Sequence, residues 1–395
     1  MILDKLFQVM ADKNASDIFV SAGAPIAIKI QGTTVPINQR VMDPETIQRM
    51  AYEMLSPEQQ ERFETTRELN LSFGRRDLGN FRVNMFWQRG SIAMVVRYIL
   101  GDIPPLDTLG LPPVLSEVIM EKRGLVLVVG STGSGKSTTM AAMIDHRNSH
   151  KSGHILTVED PIEYLFKHKK SIVNQREIGM DTEGWAPALK NAMRQAPDCI
   201  LIGEIRDLET MQAALAYAQT GHLCLATLHA NNAHHALNRI VNFFPLESRQ
   251  LLFLDLAVTL KAIVSQRLVR KPDGRRMPAV EILLNTRHIS ELIDRGEINS
   301  VKEAMERSMA PGSQTFEQDL FRLYREGEIT LDEALSNSDS PTNLSWLINN
   351  SQFGVNETPK ADDAALAPLD LETTVPGAGG ASFAEFSLNL DEGKS

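Results

Sequence analysis

The chain has 395 residues, more than one average domain holds, and 43% of them are apolar, an ordinary fraction for a globular protein. Of its net charge of −10, −6 lies beyond residue 350, where eight acids face two lysines, leaving −4 on the first 350 residues. A mildly acidic body offers no broad footprint for nucleic acid, which weighs against a nucleic-acid translocase. No run reaches the roughly 18 unbroken apolar residues of a spanning helix; the best candidate, 251–264, is interrupted by Asp255 and Lys261. The first residues carry Asp4 and no small-residue cleavage site, so they do not read as a signal peptide. Cys199 and Cys224 lie in apolar runs without a C-x-x-C pair, which points to a reducing cytosol and no zinc site.

Residues 1–100 read as a small α+β domain of the PAS-like kind. Leu3, Leu6, Phe7 and Met10 have helical spacing, and short strands are expected at 18–20 and 26–30. Asp43–Pro44 and Ser56–Pro57 each open a helix through an N-cap followed by proline in the first turn. Two longer strands follow at 81–88 and 92–100; in the first, Phe81, Val83, Met85 and Trp87 alternate with polar or aromatic neighbours. Residues 101–117, with Pro104, Pro105, Pro112 and Pro113, form a stiff linker.

From 118 to 340 the pattern is strand–helix alternation, the mark of a parallel sheet covered by helices. Strands are expected at 125–129, 154–158, 199–202 and 223–226, and helices at 136–149, 184–196 and 207–219. Past Leu251 the chain reads as mostly helical, with one further strand at 279–284. Residues 341–395 are biased to proline, alanine, glycine and acids and read as a disordered acidic tail, with Phe383 and Phe386 able to dock on a partner.

The stretch Gly130–Ser131–Thr132–Gly133–Ser134–Gly135–Lys136–Ser137 fits G-x-x-x-x-G-K-[ST] without mismatch, between a strand and a helix. In such a loop glycines turn backbone N–H groups onto nucleotide phosphates and the helix dipole faces them. Lys136 reaches the β- and γ-phosphates, Ser137 ligates Mg²⁺, and Thr138 follows in the helix. The bound species is therefore ATP with Mg²⁺.

Three further stretches sit at predicted strand ends, where α/β sheets bind ligands. Residues 157–164, T-V-E-D-P-I-E-Y, hold three carboxylates able to reach Mg²⁺ through water or to polarise the attacking water. Residues 198–207 form an apolar strand running into Gly203–Glu204–Ile205–Arg206–Asp207. Gly203 stands where many P-loop ATPases have an acid, so Glu204 carries the polar role. In 220–230, His222 and His229 flank a strand, and an imidazole at each end could bond the γ-phosphate or carry its loss onward. His234 and His235 lie nearby, but no cysteine or carboxylate is spaced to complete a metal site.

The order of these motifs resembles the secretion-type hexameric ATPases, as Walker A, Asp box, Walker B and His box, over residues 1–340. Within them the chain is similar to the PilT/PilU family of type IV pilus retraction ATPases. The stretches that carry this likeness are A-S-D-I-F-V-S-A-G-A-P-I-A-I-K-I-Q-G, F-R-V-N-M-F-W-Q-R-G, V-N-Q-R-E-I-G-M-D-T and S-Q-T-F-E-Q-D-L-F-R-L-Y-R-E-G-E-I-T. The resemblance implies a RecA-like core in a homohexameric ring with ATP at the subunit boundaries. Each N-terminal domain would rock on its neighbour's core. It assigns Glu163 as the water-polarising base, Glu204 as the Walker B acid that helps hold Mg²⁺, and His222 and His229 as the His-box pair. It makes Arg82, Arg97 and Arg194 candidates for neutralising phosphate charge.

One departure places the chain inside the family. PilT proteins carry a helix A-I-R-N-L-I-R-E, and the matching residues 288–295 keep the apolar positions but replace both arginines, by Ser290 and Asp294. With the acidic tail, this tips the reading toward the accessory, PilU-type branch. The expected role is a cytoplasmic ATPase at the inner-membrane pilus base, working with a PilT-type ATPase and the platform protein in twitching motility. The alternatives are a stand-alone retraction motor and a non-catalytic adaptor ring.

Overall fold

The computed structural model describes residues 2–13, 15–30, 32–75, 78–99 and 102–351. The first part opens with helix α1 (Ile2–Lys13), followed by β1 (Asp17–Val20), β2 (Pro25–Ile30) and β3 (Thr33–Val41). Helices α2 (Pro44–Tyr52) and α3 (Pro57–Thr66) come next, then β4 (Glu68–Arg75), β5 (Gly79–Gln88) and β6 (Ser91–Ile99). The strands make one antiparallel sheet in the order β3-β2-β1-β6-β5-β4. Leu3, Leu6, Phe7 and Met10, one face of α1, are buried, and Phe7 stacks on Phe81 of β5 at 4.5 Å. Asp43 accepts the Thr46 N–H at α2, and Ser56 and Gln59 form a reciprocal cap at α3.

Two of these strands are absent from the sequence expectation. β3 is an edge strand, nearly all exposed and interrupted by Pro36, so it lacks the half-buried alternation of a strand. β4 does alternate, with Leu69 and Leu71 buried between exposed neighbours.

The second part begins with α4 (Val114–Val118), β7 (Gly124–Val129), α5 (Lys136–His150), β8 (Gly153–Glu159) and β9 (Ser171–Glu177). It continues through α6 (Trp185–Ala192), β10 (Cys199–Ile202), α7 (Leu208–Gln219), β11 (Leu223–Leu228) and α8 (Ala233–Phe243). Then come α9 (Arg249–Thr259), β12 (Leu260–Arg270), β13 (Arg276–Leu284), α10 (Arg287–Asp294) and α11 (Val301–Glu306). The last elements are α12 (Phe316–Arg325), α13 (Leu331–Ser336) and α14 (Pro341–Ser351).

The sheet order is β13-β12-β7-β11-β10-β8-β9, parallel except for β13 against β12. Helices α6 to α10 cover one face and α4 and α5 the other. β7 and β11 are buried at every position, so they read as unbroken apolar runs. This α/β core with a smaller mixed first part is the architecture expected.

Three expectations change. The apolar run at 251–264 is not one helix: it breaks at Thr259, and β12 continues from Leu260 with the β-branched Ile263, Val264 and Val269. β9 is a further strand, outside the four expected for the parallel sheet. The tail expected to be disordered from 341 begins instead with helix α14, whose Leu344 and Ile348 pack with Phe316 and Leu320 of α12 against Val269. The rest of that tail, including Phe383 and Phe386, lies outside the described residues.

Candidate nucleotide site

Strand register gathers the motifs. Val129 pairs with Leu228, Ala226 with Ile202, and Ile202 with Val158. The residues that follow these strands, Gly130, His229, Gly203 and Asp160–Tyr164, therefore emerge along one edge, at the carboxyl ends of parallel strands.

The phosphate loop is shaped by close approach. A Cβ on Gly130 would stand 2.5 Å from the Gln266 carbonyl oxygen, and one on Gly135, at φ +90°, 2.7 Å from the Gln266 side-chain nitrogen. Gln266 of β12 braces the loop: its amide donates to the Ser134 carbonyl at 2.8 Å and its oxygen accepts from Thr139 at 2.7 Å. Lys136 is buried, and its ammonium donates to the carbonyls of Gly130 (2.9 Å) and Ser131 (2.8 Å). Burial pushes its pKa below the usual lysine value, against the pull of Glu204 and Glu163. The Ser134 hydroxyl is buried inside the loop without a protein partner.

Glu204 shares its two oxygens between Arg206, whose Nε donates at 2.8 Å, and His229, whose Nε2 lies 3.3 Å away. Arg206 also reaches Asp160 at 3.3 Å, and its pKa is raised, first by the Glu204 hydrogen bond. Glu163 is exposed at the pocket wall. Glu159 is buried, and burial pushes its carboxyl up to about 7 despite bonds from Thr157 and Gln175. Ser137, Glu204 and Asp160 line one pocket with Lys136, an all-oxygen donor set of the hard type that suits Mg²⁺.

The expected residues do not all gather here. Thr132, Gly133, Lys136, Ser137, Glu163, Glu204 and His229 line the pocket. His222 does not: it precedes β11 at the opposite end of the sheet, beside the start of β7, where its carbonyl accepts the Gly124 N–H. The six residues of β11 separate it from His229 by about 20 Å at the rise of a strand. Its ring instead meets Thr220 and the Tyr217 carbonyl. Of the two histidines expected to act together at the phosphates, the structure therefore places His229 at the pocket and His222 at the far end of the strand.

None of the three arginines lines the pocket of its own chain. Arg97 pairs with Asp17 at 2.9 Å inside the first sheet. Arg82 lies 3.7 Å from Glu177 of β9. Arg194 is exposed in the turn before β10, at the same far end of the sheet as His222.

Several site residues escaped the sequence reading. Arg206 had a visible signal, a cation two positions beyond Glu204. Tyr164, 2.8 Å from the Thr138 hydroxyl, and Gln175 and Gln266 had only their polarity, the two glutamines inside otherwise strand-like runs.

A parallel-sheet core, a phosphate loop and two acidic strand ends define a P-loop ATPase of the secretion type. Residues 1–291 match the family described as Type II/IV secretion system protein, and the chain belongs to that family. The type IV pilus ATPase PilU of Pseudomonas aeruginosa is 46% identical over 349 residues, covering 88% of this chain and 91% of that protein. PilT, the type IV pilus retraction ATPase of the same organism, is 38% identical over 344 residues, covering 87% of this chain and all of PilT. The crystal structure of the pilus retraction motor PilT with bound ADP has a TM-score of 0.81 at 44% identity, covering 87% of this chain and 98% of that one.

Proposed function

We infer that this chain is a type IV pilus ATPase of the PilU kind, hydrolysing ATP in the cytoplasm to help drive pilus retraction and twitching motility. The observation that carries the chemistry is the convergence of Lys136, Ser137, Glu163 and Glu204 on one pocket at the strand ends. The loop amides and Lys136 hold the β- and γ-phosphates and neutralise charge that builds on them. Glu163, exposed at the rim, orients the attacking water and takes its proton. Ser137 and Glu204 would hold Mg²⁺, which supplies Lewis-acid charge at the phosphates. His229 and Arg206 fix the orientation of Glu204.

The PilU kind is favoured over the stand-alone motor by α10. The Ser290 hydroxyl donates to the Ala257 carbonyl of α9 at 2.8 Å, an inward contact in place of an arginine. One oxygen of Asp294 is buried without a partner. A PilT-type ATPase, the platform protein and other copies of this chain in a hexamer are its proposed partners, with Arg97 and Arg194 acting across subunit boundaries.

ATP turnover by the purified protein, alone and with a PilT-type partner, tests this. Lys136→Ala is expected to abolish turnover; normal turnover in that variant refutes the site. Turnover that rises with the partner supports the accessory role. Full turnover and retraction without one favours the stand-alone motor, and full retraction by cells carrying Glu204→Ala favours the adaptor.

A further inference from the structure

β9 carries two side chains that the chemistry above does not use. Gln175 and Glu177 are two residues apart on this edge strand, so they project from one face, toward the segment that bears Glu163. The Gln175 oxygen accepts the Phe166 N–H at 2.9 Å. Its amide donates to the Tyr164 carbonyl at 2.9 Å and to a Glu159 oxygen at 3.1 Å. One oxygen of Glu177 accepts the Ile162 N–H at 3.1 Å. The contacts thus fall at residues 159, 162, 164 and 166, bracketing Glu163. β8 ends at Glu159, so beyond it side chains of the neighbouring strand do what a backbone ladder would otherwise do.

The second oxygen of Glu177 is the informative one. Glu177 is 3% exposed, and this oxygen has no hydrogen-bond partner. A buried carboxylate is costly without a counter-charge, and the cation facing it, Arg82, comes from β5 of the first sheet at 3.7 Å. At that separation a relative shift of about 1 Å between the two sheets closes the pair to a hydrogen bond or breaks it.

We propose that Gln175 and Glu177 are positioning residues that seat Glu163 for its water, and that Arg82, through Glu177, makes this seating depend on the placement of the N-terminal sheet. The proposal rests on Glu163 as the water-orienting base, and it gives Arg82 a role within its own chain, in place of phosphate contact. An edge strand would then convert domain motion into catalytic competence, because misplacing a reacting group by about 1 Å can cost 100-fold in rate.

Steady-state ATP hydrolysis by the full chain, with ADP affinity and thermal midpoint measured alongside, tests it. Gln175→Ala and Glu177→Ala are expected to lower kcat at least about tenfold, leaving the KM for ATP and ADP affinity within about twofold. Glu177→Gln keeps an acceptor for Ile162 but gives up the charge, so it should match Arg82→Ala in a smaller loss. Arg82→Ala should then add nothing to Glu177→Ala. Full kcat in Gln175→Ala overturns the proposal. So does a further loss when Arg82→Ala is added to Glu177→Ala, since Arg82 would then act elsewhere. Failure of the underlying site is separate: Glu163→Gln would itself turn over ATP normally.

Discussion

His229 and Glu204 meet across adjacent strand ends, Nε2 to Oε1 at 3.3 Å, while Arg206 occupies the other carboxylate oxygen at 2.8 Å. Glu204 is thereby held from both sides, with each partner's position fixed by a different strand or turn. Substituting Glu204→Gln removes the charge while keeping the shape, and turnover should fall by more than about 100-fold. His229→Ala leaves the Arg206 contact and should cost about tenfold. ADP affinity should stay within about threefold in both, as the proposed role of these groups in the hydrolytic step requires. Loss of ADP binding with unchanged kcat would place the pair in nucleotide affinity instead.

Gln266 offers a test of the binding step. It is 3% exposed and joins β12 to both the loop, at Ser134, and α5, at Thr139. In Gln266→Ala the Thr139 hydroxyl and the Ser134 carbonyl lose these bonds, at a cost of roughly 1–3 kcal/mol for each buried group left unsatisfied. The loop that cradles phosphate loses its brace. An ADP affinity weakened about tenfold or more, read by titration calorimetry, is the expected result; unchanged affinity would show that the loop holds its own shape.

Gly203 is set by space. A Cβ there would lie 3.1 Å from the Glu159 Cα, 3.3 Å from the Val158 carbonyl and 3.5 Å from the Trp185 ring. Two of these are backbone of the neighbouring strand and cannot rotate away. Gly203→Ala should destabilise the core by about 1–3 kcal/mol through overpacking and disturb the Asp box it presses on. A lower melting midpoint together with reduced kcat is the outcome to look for. Wild-type values of both would mean that β8 yields at no cost.

How much of this was legible beforehand follows from where each contribution comes from. The phosphate loop, Glu163, Glu204 and His229 lie in contiguous stretches whose spacing reflects a ligand, and the structure brings them to one pocket. Gln175 and Gln266 each act from a strand that local patterning did not disclose: β9 at the sheet edge, and β12 continuing an apolar run that reads equally well as helix. His222 shows a different limit. A strand flanked by two histidines has a direction, and its parallel pairing with β7 puts the His229 end, not the His222 end, beside the glycine-rich loop. The 341–351 helix was hidden because its few apolar residues, Leu344 and Ile348, gain meaning only against Phe316 and Val269.

Stability should also carry a pH signature from a buried group that does not line the pocket. Glu281 is 3% exposed on β13, accepting the Ala233 N–H at 2.7 Å and the Ser265 hydroxyl at 2.9 Å. Burial outweighs these bonds and pushes its pKa from 4.5 up to about 7, with Asp339 and Glu317 adding in the same direction. The folded protein therefore keeps this proton up to about pH 7, whereas the unfolded chain releases it near 4.5. Folded molecules bind more protons in that interval, so the contribution is fully present below about 4.5 and is lost as pH rises through 7. The loss amounts to about 3 kcal/mol. Glu281→Gln keeps an acceptor for both donors and cannot ionise. Its melting midpoint should match the wild type at pH 5 and exceed it by several degrees at pH 8, equivalent to about 2–3 kcal/mol. Equal offsets from the wild type at both pH values would show that Glu281 does not titrate in this window.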